Sequence, residues 1–213
     1  MLHKNLTFLI GPAVSAPFFA LPDTKMSQAE VYSFMTPVFG KGIVFDAPIK
    51  RRQQQMQTVA HGLLKTVRLA SYVPKIQKEV ELYFKERWGS SGTCNLLEAL
   101  SELTILTSSR CLHGDDVREQ LFADIAKIYH DLDKGVTPLS FFFPYAPTPL
   151  HRQRDLAREK MVESFTKIIK ARRQSGVTAN ESTQSDILQL YIDFRYKEDN
   201  VALTEVEIVG LLI

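Results

Sequence analysis

The chain has 213 residues, with 26 Lys and Arg against 24 Asp and Glu and a formal net charge of +2. Hydrophobic residues make up 45% and charged residues 23%, ordinary for one globular domain with a sizeable core. The charge is too small to argue for nucleic acid as a partner, no apolar run is long enough to span a bilayer, and Cys94 and Cys111 lack the spacing of a disulfide framework or metal site, so a reducing compartment is the default.

The elements follow in chain order. Leu6 to Ile10 is short, apolar and closed by Gly11-Pro12, which predicts a strand. Pro12 to Phe45 holds further prolines at 17, 22 and 37 and reads as loop with short helical pieces, one from Ser27 to Phe34. Met56, Val59, Leu63 and Val67 recur at helical spacing after a polar entry from Arg51 to Gln55. A second helix carries Val73, Ile76, Val80 and Tyr83. A third carries Leu96, Leu100, Leu103 and Thr107, and a fourth runs from Val117 through Leu121, Ile125 and Ile128 to Leu132.

Four prolines and Phe141-Phe142-Phe143 between Pro138 and Pro149 stop any helix there. That stretch covers the core, lines a pocket or faces a membrane surface. A long amphipathic helix from His151 to Arg173 presents Ala157, Met161, Phe165, Ile168 and Arg172 on one face. Gln174 to Ser185 is polar and reads as a mobile loop, and a short helix spans Asp186 to Phe194. Thr204 and Glu207 form a capping-box pattern before a nearly all-apolar run to Ile213, which predicts a buried helix that the sequence leaves unfinished. The expectation is a single mainly α domain, 1–213, truncated at both ends.

Chemical signals are sparse. The five histidines are scattered and read as structural, and the sequons at Asn5 and Asn180 are discounted. Arg51-Arg52 and Arg172-Arg173 read as solvated helix faces. Asp115-Asp116 reads as a helix cap. Asp131 and Asp133 lie in the last turn of a helix, where acids oppose the macrodipole and want a cation. Val31 to Asp46 crowds Tyr32, Phe34, Met35, Phe39 and Phe45 into a turn-rich loop. Such a loop covers either core or ligand, and composition alone favours core.

The string Thr36-Pro37-Val38-Phe39-Gly40-Lys41-Gly42 resembles the loop between the second and third helices of sterol 14α-demethylases, a branch of the cytochrome P450 superfamily. The resemblance continues in register through Glu98 to Thr107, Ser109 to Gly114, His130-Asp131-Leu132-Asp133, Phe143-Pro144-Tyr145 and Arg152 to Asp155. It ends with Leu203 to Ile213, which resembles the start of the family's central helix. It implies a cytochrome P450 fold from about the second helix into the central (I) helix.

It also implies a monooxygenase that removes a sterol 14α-methyl group with O2, haem and electrons from NADPH through a reductase. The enzyme would sit on the cytoplasmic face of the endoplasmic reticulum through an N-terminal anchor absent here. Tyr32 would approach a haem propionate, and Tyr32, Phe34, Met35, Phe39 and Phe45 would contact the sterol. Asp133 would serve a proton relay. Phe34, where animal and fungal members usually carry Leu, would favour C4-monomethylated sterols.

The departures are specific. Neither cysteine has the axial-thiolate context, so the iron ligand would lie beyond Ile213 and this segment alone would be inactive. Phe45 replaces a Tyr that animal and fungal members place near a propionate, and Met56 replaces a Lys that pairs with it in some members. The rival readings are a non-catalytic helical lipid-binding or truncated protein and a P450 monooxygenase of another substrate class.

Overall fold

The computed structural model describes residues 7–27, 29–63, 65–120, 122–176 and 186–213. Ten α-helices carry the described architecture: α1 Pro12–Ala20, α2 Thr36–Phe39, α3 Ile49–Leu63, α4 Thr66–Tyr83, α5 Leu96–Ser108, α6 Asp115–Gln120, α7 Phe122–Lys134, α8 Pro149–Ser175, α9 Ile187–Asp193 and α10 Glu205–Leu212. Tight helical turns over Val31–Met35, Val44–Asp46 and Pro138–Phe141 complete the wall described below.

The core forms around α8. Ala157, Met161, Phe165 and Ile168 are buried as their spacing predicts, and they meet Ile125 and Leu132 of α7 and Ile208, Val209 and Leu212 of α10. Full burial of a side chain such as Phe165 contributes about 2 kcal/mol, so this stripe is a main source of stability. The Thr204–Glu207 capping box forms in both directions and starts α10 where the sequence places it.

Several expectations change. Residues 7–10 form no strand, with Phe8 and Ile10 79% and 82% exposed, while Leu6 lies outside the described residues. A strand is stabilised by its partner, and among the described residues the only bridge joins Arg195 to Ala202. Val67 belongs to α4, because the chain leaves α3 at Leu63 and restarts at Thr66. The stripe Val73–Ile76 of α4 is exposed and Glu79 is buried, the reverse of its polarity pattern. The partner decides: the turn after α5 brings Arg110 against Glu79.

On α5 the buried positions are Ala99 and Leu106, while Leu96 and Leu100 face outward. The fourth helix is described as α6 up to Gln120 and as α7 from Phe122, and Leu121 between them lies outside the described residues. Gln174 and Ser175 complete α8, Gly176 ends it in the left-handed region, and 177–185, with Asn180, lie outside the described residues, as does Asn5.

Candidate functional site

The segment from Val31 to Asp46 is folded as tight turns that its glycines permit. Gly40 and Gly42 have φ of 109° and 76°, and Val44 is held at φ 49° although a β-branched residue disfavours it. Gln55 of α3 supports that strain. Its Oε1 accepts from the Val44 N–H at 3.0 Å, and its Nε2 donates to the Gly42 carbonyl at 3.3 Å and to Tyr196 Oη at 2.7 Å. The Gly42 N–H donates to Asp46 Oδ2 at 2.7 Å, closing the turn. The Ser27 hydroxyl accepts from the Ala29 N–H, two residues on, and the helical turn itself begins at Val31.

The other side of the segment rests on α8 and α10. Arg158 donates from Nε to the Val38 carbonyl at 3.0 Å and from Nη2 to the Phe39 carbonyl at 3.3 Å. Gly210 faces the same Phe39 carbonyl, with no room for a Cβ between them. Burial holds the Arg158 guanidinium below its ordinary pKa, with Asp155 opposing that shift.

These contacts assemble an aromatic wall. The Tyr32 and Phe45 rings stack with centroids 4.3 Å apart and planes 13° apart. Phe34 lies 6.3 Å from Tyr32 on one side and 4.0 Å from Phe141 on the other. Phe39 meets Phe45 edge-on at 6.5 Å. Four of the five residues singled out in the sequence therefore belong to one ring cluster. Met35 is half-buried at the start of α2 without a ring contact of its own among the described residues. Tyr32 is the most exposed of the set at 37%, and Phe34 is the most buried at 7%, backed by Phe141.

Asp133 stands apart. It is exposed, whereas its neighbour Asp131 accepts from Gln153 Nε2 at 2.6 Å. Sequence reasoning missed Gln55, Arg158 and Gly210. Gln55 sits in a run of three glutamines, and Arg158 lies among other charged residues, so neither carried a local signal.

Charged groups away from the wall are structural. Glu79 accepts from Arg110 Nε at 2.6 Å and from Arg118 Nε at 3.0 Å, and Arg110 reaches Asp115 at 2.5 Å. Burial pushes the Glu79 carboxyl up, but the two guanidiniums outweigh it and hold it below its ordinary value. Arg172 is no solvated face. It binds Asp116, Asp186 and the His113 carbonyl, so the expected Asp115-Asp116 cap is an ion-pair network instead. Burial opposes its charge, yet the two carboxylates raise its pKa. Arg51 and Arg52 pair with Asp199 and Asp23, and Arg51 also lies over the Tyr196 ring. Among the described residues no cluster of His, Cys, Asp and Glu is placed to hold a metal ion.

With this geometry in hand, the family model for cytochrome P450 matches residues 3–213. The chain belongs to the cytochrome P450 family. Among its relatives are a sterol 14-demethylase of Arabidopsis thaliana, 47% identical over 213 residues, and an obtusifoliol 14-alpha demethylase of Triticum aestivum, also 47% identical. A lanosterol 14-alpha demethylase of Mus musculus is 41% identical over 215 residues. Each alignment covers all of this chain but only 42%, 45% and 41% of the relative's own length.

A P450 carries haem, and the residues present can be tested against it. Cys111 is buried, its thiol is pushed up by burial, and its Sγ lies 3.9 Å from the Tyr72 carbonyl. A buried, neutral thiol of that kind is no iron ligand. Cys94 is exposed in the stretch before α5. The wall does suit the rim of a flat apolar macrocycle, because Tyr32 presents an accessible phenol beside stacked rings. The described part of this P450 therefore fits one edge of the group and not its metal. No helix of the described residues is long and apolar enough to cross a membrane.

Proposed function

We propose that this P450 chain forms the distal, substrate-facing part of a sterol 14-demethylase. The observation that carries the reading is identity of 40–47% along the whole chain with relatives named for that reaction on obtusifoliol or lanosterol. Haem, when bound, supplies oxygen activation, with electrons from an NADPH-dependent reductase. The residues of this chain bind and orient. Tyr32, whose ring packs on Phe45, would hold a haem carboxylate through its phenol hydrogen. Phe34, Met35, Phe39 and Phe45 give the sterol a dry apolar wall, and Phe141 stiffens it from behind. The iron ligand is assigned to protein outside these 213 residues.

Asp133 is exposed, where a carboxylate can exchange protons with water. In this reading it feeds protons to the site. Phe141, Phe142 and Phe143, 43–54% exposed, form an apolar patch suited to the endoplasmic reticulum surface. The test is turnover of obtusifoliol by the full-length haem-loaded protein with reductase and NADPH. Loss of the 14α-methyl group is the expected product change. A ferrous–CO spectrum without a thiolate signature, or sterol returned intact, overturns the reading. For Asp133→Ala, turnover should fall far more than sterol affinity, and equal losses remove the proton role.

A further inference from the structure

The wall is held by hydrogen bonds from Gln55 on one side, and on the other it packs against Gly210 while Arg158 supplies the side-chain hydrogen bonds. α2 is four residues long, so its carbonyls at Val38 and Phe39 lack N–H donors further along the helix. Arg158 supplies both, as a cation at a helix C-terminus, and among the described residues no other side chain donates to either carbonyl. The surroundings are shaped to admit it. Gly40 leaves the space that Arg158 Nη2 occupies, and any Cβ there would overlap it.

Open space lies on both flanks. A cleft of about 530 Å³ is bounded by Thr36, Lys41, Tyr145, Arg158 and Glu207, and a groove of about 510 Å³ runs along α8 from Arg158 past Val162. The end of the wall is therefore not wedged by packing on those sides. Nor is Arg158 committed elsewhere, since no carboxylate among the described residues lies within ion-pair distance of it. A half-buried guanidinium whose hydrogen bonds go to two neutral carbonyls is expensive to place, even with Asp155 favouring its charge. Its two hydrogen bonds to the end of α2 offset that cost.

We propose that Arg158 is a positioning residue for ligand selection, fixing the Phe39 end of the wall so that ligands reaching that wall bind tightly. The assignment of the wall to ligand rests on the proposed function. The residue acts through Phe39 and touches no reacting atom.

The experiment uses the full-length haem-loaded protein and its Arg158→Ala, Arg158→Lys, Phe39→Ala and double Arg158→Ala/Phe39→Ala variants. Dissociation constants are read from haem absorbance for three probes: imidazole, 1-dodecylimidazole and obtusifoliol. Loss of two hydrogen bonds from a cation predicts about tenfold weaker 1-dodecylimidazole binding in Arg158→Ala. Imidazole, too short to reach the wall, should bind as before. Lys, a point charge that can serve only one carbonyl well, should restore part of the loss. In the Phe39→Ala background, removing Arg158 should cost less than a further twofold, because the two act as one unit.

Equal weakening of both imidazoles, or independent losses that multiply in the double variant, overturns the proposal. Should Arg158→Ala fail to fold, Arg158→Lys carries the same comparison, with weakening confined to the long probe. If obtusifoliol leaves the wild-type spectrum unchanged while the imidazoles behave as described, the sterol reading falls and the positioning role stands.

Discussion

The Phe39 carbonyl lies so close to Gly210 that α10 and the aromatic segment could not pack as they do with any other residue at 210. In an isolated helix, Gly→Ala would add about 0.5–1 kcal/mol of stability. Here the added methyl meets backbone at Phe39 and the Ile43 side chain, and overpacking costs about 1–3 kcal/mol. The clash wins, so Gly210→Ala should lower the thermal midpoint of the haem-loaded protein. A raised midpoint would mean that the segment moves aside freely.

His113 gives stability a pH dependence. It is buried edge-on to Phe165, and desolvation pushes its pKa from 6.5 down to about 4. Between those values the unfolded chain binds a proton that the folded chain refuses. Stability is therefore complete above about pH 6.5 and is lost as pH falls toward 4, by up to about 3 kcal/mol. Urea midpoints at pH 7 and pH 5 should differ less in His113→Gln than in the native protein. Parallel curves would remove His113 from the acid response.

Glu79 is 1% exposed and serves two guanidiniums. Removing one member of such a cluster leaves buried charge uncompensated, at a cost of about 3–5 kcal/mol. Glu79→Ala should therefore destabilise far more than Glu163→Ala, whose i,i+4 pair with Lys167 is solvent-exposed. Its carboxyl is held below its ordinary pKa, so this contribution too is present at neutral pH and lost on acidification. Denaturation of the two variants side by side decides the matter.

Phe34 is pinned by Phe141 at 4.0 Å, which limits how far its ring can yield to a bulky ligand. In the sterol reading it crowds one methyl at C4, and a methyl-sized difference is worth about 1–3 kcal/mol. Phe34→Leu should shift the turnover ratio from obtusifoliol toward lanosterol. An unchanged ratio would assign Phe34 to the core, packed between Tyr32 and Phe141.

Local signals in the sequence determined the long helices, the α8 stripe and the Thr204 cap, because helical periodicity and capping act over three or four residues. The string from Thr36 to Gly42 likewise carried the family, and the segment Val31 to Asp46 around it holds four members of the ring cluster. Tertiary structure alone decided what those residues touch. Only the fold brings Phe141 to Phe34, Gln55 to Val44 and Arg158 to Phe39, over separations of 107, 11 and 119 residues. It also buried Glu79 and exposed Val73, since a helix face takes its polarity from the charged partner opposite it, here Arg110, and not from its own sequence.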